Sequence, residues 1–364
     1  MLGVIDADTH IAESETMWKL LDPEIYRRRP VVVSVPDDTL YGDHNAFWLI
    51  DGNILPKPAG NGSFRLITPS AQKSQIKRGD TTIASREMTS INGRLADMDR
   101  LGIESQVIYP TLFLVYLTDD VKLDVALARA YNKWMAQTWA KSGNRLRWVV
   151  VPPLKSIEES IKEVQTGKKN GAVGVLFRGI EGTLTLDNPY FFPLYEEARK
   201  LDMPICVHIG HGAPWLIQYF NVERNHNFVH SRMLPLIAFR DIVFNRIPEQ
   251  FPGLRFGFIE ASAGWVPFLL HSLRRVLRDR WKHGSAADLF REYRLFVACE
   301  ADEDIPYIAK YTGEDHILIG SDYGHTDPSS ESNLVATMRE RTDVPKSLTD
   351  KILCENPRTF YGFS

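Results

Sequence analysis

The chain has 364 residues, 44% hydrophobic, 24% charged and 11% aromatic, with a net charge of −3 from 43 Lys+Arg against 46 Asp+Glu. It is too apolar to be disordered, and its near-neutral balance excludes a global basic footprint for nucleic acid. Three scattered cysteines, Cys206, Cys299 and Cys354, exclude a disulfide framework and a paired-cysteine metal site, and no uncharged apolar run is long enough to span a membrane.

Short β-branched runs recur along the chain, most of them separated by helical patterns. Gly3 to Asp8 (GVIDAD) is the first. Arg29 to about Ser90 then breaks the pattern. This stretch carries Pro30, Pro36, Pro56, Pro58, Gly60, Gly62 and Pro69 and the polar run AQKSQIKRGD, and holds no clean βα unit. A segment this long is usually functional or mobile. It is expected to be an insertion after the first strand, arching over the barrel mouth, with a surface loop as the plain alternative. Arg94 to Leu101 is amphipathic, with Leu95, Met98 and Leu101 at helical spacing, and leads into Ser105 to Tyr109. A long helical pattern, Asp124 to Lys141, precedes Leu146 to Val151, and Ser156 to Lys169 precedes Ala172 to Phe177. Phe192 to Leu201 precedes Pro204 to His208. Arg255 to Glu260, Leu295 to Cys299 and His316 to Gly320 complete eight strands.

Alternating strands and helices imply right-handed crossovers and a parallel sheet. Strands buried on both faces read as continuous apolar runs, as these do. The length alone suits two domains of about 150 residues. Eight units instead favour one α/β domain over residues 1–364, a (β/α)8 TIM barrel with residues 29–90 inserted, over an open doubly wound sheet.

A barrel keeps its chemistry at the C-terminal strand ends. Strand one ends Asp6-Ala7-Asp8-Thr9-His10, strand five in His208 followed by His211, and strand six in Glu260. Strand eight ends Gly320-Ser321-Asp322-Tyr323-Gly324-His325. Alternation points Asp6, Asp8 and His10 the same way. Asp8, His10, His208 and Asp322 form a mixed nitrogen and oxygen set without thiolate. That set suits one divalent ion, zinc first, with manganese or iron as alternatives. Taken singly, each residue has a plainer role: Asp8 and Asp322 as helix caps, His10 as a loop histidine, His208 bonded to a backbone carbonyl. Their joint occurrence at strands one, five and eight carries the metal reading.

The runs VIDADTH, CVHIGHG, PGLRFGFIEASAGWVPF and LIGSDYGHTDP, in this order and spacing, resemble the amidohydrolase superfamily. More narrowly, they resemble the amidohydrolase-2 branch that includes aminocarboxymuconate-semialdehyde decarboxylase and γ-resorcylate decarboxylase. The resemblance extends through LADMDRLGIESQVIYP, LARAYNKW and the closing ENPRTFYG, so it covers nearly the whole chain. It implies a metal-bearing barrel of the metal-dependent hydrolase type, with Asp8, His10, His208 and Asp322 as ligands. The family's strand-one motif is HxH or ExH; here Asp8-Thr9-His10 puts an aspartate first. Its strand-six end is usually histidine, and here Glu260 stands there, able to act as a base or as a ligand.

Two chemistries are compatible with this set. One is decarboxylation of a small aromatic or unsaturated carboxylic acid, with Glu260, Asp322 and Arg178 as the catalytic group. The other is hydrolysis of an ester, lactone, thioester or amide by metal-activated water. A noncatalytic binding barrel has no need of so many convergent ionisable groups. Arg178 at the end of strand four can clamp a substrate carboxylate or pair with Glu181. His211 and His325 are candidates for supporting the ligands. Tyr109, Trp215 and Trp265 are candidates for an aromatic wall, with core packing as the alternative. The start MLGVIDADTH has no leader pattern. The expected setting is cytoplasmic, with a small-molecule substrate, no nucleic acid, no membrane, and a homodimer or homotetramer.

Overall fold

Eight parallel strands wind into a nearly closed barrel: β1 (Ile5–Ile11), β2 (Ser105–Pro110), β3 (Leu146–Val150), β4 (Ala172–Arg178), β5 (Ile205–His208), β6 (Phe256–Ile259), β7 (Leu295–Cys299) and β8 (Ile317–Ile319). The computed structural model describes residues 2–34, 46–56, 81–215, 230–325 and 329–363. Neighbouring strands in the sheet are neighbours in the chain, with helices returning outside, as right-handed crossovers dictate. Every residue of β1, β5, β6, β7 and β8 is buried, which is why these segments read as unbroken apolar runs.

Local signals start the helices. Ser90, Asp120 and Ser156 each accept a backbone N–H of the first turn of Ile91–Leu101, Val121–Ala140 and Ile157–Lys169 respectively, a device worth about 1 kcal/mol each. Gly102, at φ 72°, ends the first of these helices in the left-handed region open to glycine. The long helix Val121–Ala140 buries Leu123, Leu127, Tyr131 and Met135 against the barrel.

β1 departs from simple alternation. Asp6 pairs with Gln106 but Thr9 with Ile108, so three steps along β1 match two along β2. This bulge re-aims the end of the strand. β1 and β8 share no continuous ladder. They are joined by Asp322 N–H to the Asp8 carbonyl at 3.0 Å and His10 N–H to the Tyr323 carbonyl at 2.6 Å. Gly320 permits the approach, because a Cβ there would lie 2.3 Å from that of Asp8.

The described residues within 29–90 are more regular than a loop. Val31–Ser34, Ala46–Ile50 and Asn53–Pro56 form an antiparallel three-stranded sheet. Its Asp51 accepts from Thr118 at 2.5 Å and from Arg28 at 2.7 Å, so its hairpin rests against the loop after β2. Residues 35–45 and 57–80, with Pro36, Pro58, Gly60, Gly62, Pro69 and the AQKSQIKRGD run, lie outside the described residues.

Candidate metal centre

The C-terminal ends of β1, β5 and β6 and the residues after β8 bring five side chains together. His10 Nε2 lies 3.5 Å from Asp8 Oδ1, 3.6 Å from Glu260 Oε2 and 3.4 Å from Asp322 Oδ1. His208 Nε2 lies 3.5 Å from Asp8 Oδ1 and 3.2 Å from Glu260 Oε2. Donors each about 2.1 Å from one ion lie roughly 3.0–3.4 Å apart at octahedral or tetrahedral angles, and these separations are within a few tenths of an ångström of that range.

Hydrogen bonding orients both imidazoles. His10 Nδ1 meets the Pro110 carbonyl at 2.9 Å and His208 Nδ1 the Ile209 carbonyl at 3.0 Å. A carbonyl only accepts, so Nδ1 carries the proton and Nε2 is left to face the cluster. Asp8 Oδ1, His10 Nε2, His208 Nε2 and Asp322 Oδ1 are all buried without a hydrogen-bond partner. Each such group costs about 1–3 kcal/mol. The donors form two overlapping groups of mutually close atoms, Asp8, His10, His208 and Glu260 in one and His10, Glu260, Asp322 and His325 in the other, and a cation held at this rim would relieve them. Three carboxylates against two imidazoles specify a cation.

The electrostatics follow from the same geometry. Burial raises the Asp8 pKa, but the adjacent His208 and His10 imidazoles outweigh it and hold the carboxyl well below its usual range. Burial lowers the His10 pKa, yet the neighbouring carboxylates of Asp8 and Asp322 raise it overall. Asp322 is lowered on balance: burial opposes ionisation, but His325 and His10 favour it. Glu260 (φ 55°) and Asp322 (φ 51°) both hold left-handed backbone. Such positions cost a non-glycine residue on the order of 1–3 kcal/mol and cluster at functional sites.

The remaining candidates separate. His325 stacks on His10 at 3.9 Å between centroids, with Nδ1 2.8 Å from Asp322 Oδ1 and Nε2 2.8 Å from Thr111 Oγ1. It therefore braces Asp322 from behind. Asp6 does not share the direction of Asp8. Its carboxylate accepts the Ser321 N–H at 2.8 Å and hydroxyl at 2.6 Å; burial, partly offset by these bonds, pushes its pKa up to about 6. Arg178 does not stand ready as a substrate clamp. Its guanidinium donates to both oxygens of Glu181 and to the carbonyls of Phe113 and Val115. His211 is absent from the group of mutually close donors; its backbone pairs with the loop after β2.

The aromatic residues do not form one wall. Tyr109 is fully buried, its ring 4.9 Å from that of His208 and its hydroxyl 2.7 Å from that of Tyr361. Trp265 packs on Phe239 and Phe258 and donates to the Ser262 carbonyl at 2.8 Å. Trp215 is 48% exposed and donates to the Gly182 carbonyl. A cavity of about 340 Å³ lies over β2 to β4, beside Lys155, Arg178 and Tyr190, and none of the five clustered residues lines it.

Several contributing residues had escaped the sequence reading. Thr111 holds His325, and Ser330 donates to Asp322 Oδ2 at 2.7 Å. Neither has a local signal. Tyr361 donates to the carbonyl of Ala7, next to Asp8; it lies in the ENPRTFYG run, which was the available clue. Thr326 to Pro328, the end of the LIGSDYGHTDP run, lie outside the described residues.

Comparison with known proteins places this geometry in context. The sequence model of a family described as Amidohydrolase matches residues 5–363. A 2-amino-3-carboxymuconate-6-semialdehyde decarboxylase from Dictyostelium discoideum is 22% identical over 74% of this chain and 76% of its own length. A γ-resorcylate decarboxylase from Rhizobium radiobacter is 30% identical over 34% of this chain, and the match spans 43% of that protein. Among solved structures, an amidohydrolase from Mycobacterium avium subsp. paratuberculosis superposes with a TM-score of 0.77 at 19% identity over 99% of both chains. A 5-carboxyvanillate decarboxylase from Novosphingobium aromaticivorans, solved with manganese and a nitrobenzoic acid, gives 0.70 at 16% identity over 100% of this chain and 97% of its own. These structures share the barrel. No helix among the described residues is long and apolar enough to cross a membrane.

Proposed function

Since the chain belongs to the amidohydrolase family, we propose that it is a metal-dependent carboxy-lyase removing CO₂ from a small aromatic or unsaturated carboxylic acid. The observation that carries this is the clustering of the buried Asp8, His10, His208 and Asp322 around Glu260, with nitrogen-to-oxygen separations of 3.2–3.6 Å. Decarboxylases among the relatives narrow the chemistry.

In this reading Asp8, His10, His208 and Asp322 hold one divalent ion. When bound, it supplies a Lewis acid that draws charge from a substrate carboxylate and a neighbouring oxygen. The protein's own groups do the rest. His325 and Ser330 keep Asp322 aimed at the centre. Glu260, on the β6 side, is the group placed to carry a proton to or from the reacting carbon. If Glu260 instead ligates, the five donors favour a six-coordinate ion such as Mn²⁺; without it, the four suit Zn²⁺. Arg178 serves to hold the chain just after β4 through Glu181, and the three-stranded sheet lies against the loop after β2 through Asp51 and Thr118.

A hydrolytic reading is kept on one observation: a carboxylate at the β6 end, 3.2 Å from His208 Nε2, suits proton abstraction from water. Product analysis in H₂¹⁸O decides between the two. The carboxy-lyase releases CO₂ and leaves the organic product free of ¹⁸O beyond exchange. Label in a new carboxyl or hydroxyl without CO₂ release overturns it.

The three buried free cysteines support a reducing, cytoplasmic setting. A homodimer or homotetramer is part of the same proposal; solution mass by light scattering tests it.

A further inference from the structure

Asp8 and His10 lie on one side of the β1–β8 seam and Asp322 on the other. Among the described residues, two backbone hydrogen bonds cross that seam, the pair described above. The helix Ile91–Leu101 reaches this seam through two side chains, Arg94 and Asp97. Arg94 on this helix is fully buried. Its Nε donates to Gln106 Oε1 at 2.7 Å and its Nη1 to the carbonyl of His10 at 3.2 Å. The guanidinium carbon lies 3.6 Å from the centroid of the Tyr323 ring. Gln106 passes the connection to Asp6 at 3.4 Å, and Asp6 binds Ser321 through two bonds. Asp97, one turn along the same helix, accepts from the Tyr323 hydroxyl at 2.6 Å. The chain is thus gripped at His10 on one side, and at Ser321 and Tyr323, the two neighbours of Asp322, on the other.

Stability alone does not call for a cation here. Desolvating a guanidinium costs several kcal/mol, and apolar replacements of buried ionic groups are often neutral or stabilising. What a planar fork adds is direction: one rigid group bonding two strands and stacking on a third segment. We infer that Arg94 is a positioning residue for the metal centre, setting the spacing of Asp8 and His10 against Asp322 across the seam. This rests on the reading of those three as ligands.

The experiment titrates Co²⁺ alone into the full-length, metal-stripped protein and follows its visible absorption. Arg94→Lys and Arg94→Met are compared with Arg255→Met. Arg255 is a second buried arginine, just before β6, held by Asp202 through its carboxylate at 2.7 Å and its carbonyl at 3.0 Å. The wild type is expected to bind one Co²⁺. Arg94→Met should weaken binding about 10- to 100-fold and alter the absorption band while far-ultraviolet dichroism is retained. Arg94→Lys should recover part of the affinity. Arg255→Met should lower the melting temperature but leave Co²⁺ affinity unchanged. Asp97→Asn, which loosens Tyr323 without burying a new group, gives a smaller loss in the same direction and serves if Arg94→Met does not fold. Wild-type affinity and spectrum in both Arg94→Met and Asp97→Asn, or an equal loss in Arg255→Met, overturn the inference. A wild type that binds no Co²⁺ overturns instead the ligand reading beneath it.

Discussion

Arg178 and His208 are register partners across β4 and β5, so a half-buried and a fully buried polar group stand at equal height on the barrel rim. On β4, Arg178 spends its donors on Glu181 and two backbone carbonyls. On β5, His208 points Nε2 at Asp8 and Glu260, and that atom has no hydrogen-bond partner. The first arrangement is complete within the protein. The second is incomplete and becomes favourable when something binds its donors together. Strand-end position therefore identifies polar residues with equal ease in both places, and hydrogen-bond satisfaction tells which are built for a ligand.

The sharpest way to break this contrast is Asp322→Asn. Turnover should fall on the order of 10³-fold or more, with the melting temperature nearly unchanged; a rate near wild type, or a variant that loses rate only because it unfolds, removes Asp322 from the chemistry. Glu260→Gln should lower the rate by about 10²- to 10⁴-fold. Metal analysis of the same sample then sharpens its role, because retained metal marks a base and lost metal marks a ligand. The β4 side should respond in stability instead. Glu181→Leu leaves the half-buried Arg178 charge with only backbone acceptors and should cost about 1–3 kcal/mol in denaturant unfolding, whereas Arg178→Met with Glu181→Leu should recover most of it. Metal affinity in these variants should stay at the wild-type level.

The smallest effect concerns pH. Burial, with some help from the charge of Arg178, pushes the His211 pKa down to about 4. A histidine lowered in the fold is neutral there while the unfolded chain takes up a proton near pH 6.5. Its contribution is thus complete above pH 6.5 and is lost as pH falls toward 4, by less than about 3 kcal/mol. His211→Gln should flatten the stability profile in that window, and an unchanged slope assigns the acid loss to other groups.

The eight strands were legible because a strand buried on both faces must be apolar throughout, and that is a local property. The rim residues were legible because they follow those strands. Other features were not. Alternation alone aims Asp6 with Asp8, but the bulge and the pairing with Ser321, 315 residues away, decide otherwise. Arg178 as clamp or ion pair was undecidable until Glu181 was seen folded back on it. The strands of the 29–90 region were hidden among prolines and glycines, and Tyr109 and Trp265 gave no sign of facing the core.

By itself the sequence determined the strand order, the barrel, and a small set of carboxylates and imidazoles placed to meet, since burial and strand ends are written in contiguous residues. Only the tertiary structure decided which of those groups are satisfied. The partners of Asp6, Arg94, Asp322 and His325 come from segments up to hundreds of residues away. A hydrogen-bond balance is a property of atoms brought together in space, which no single stretch of chain contains.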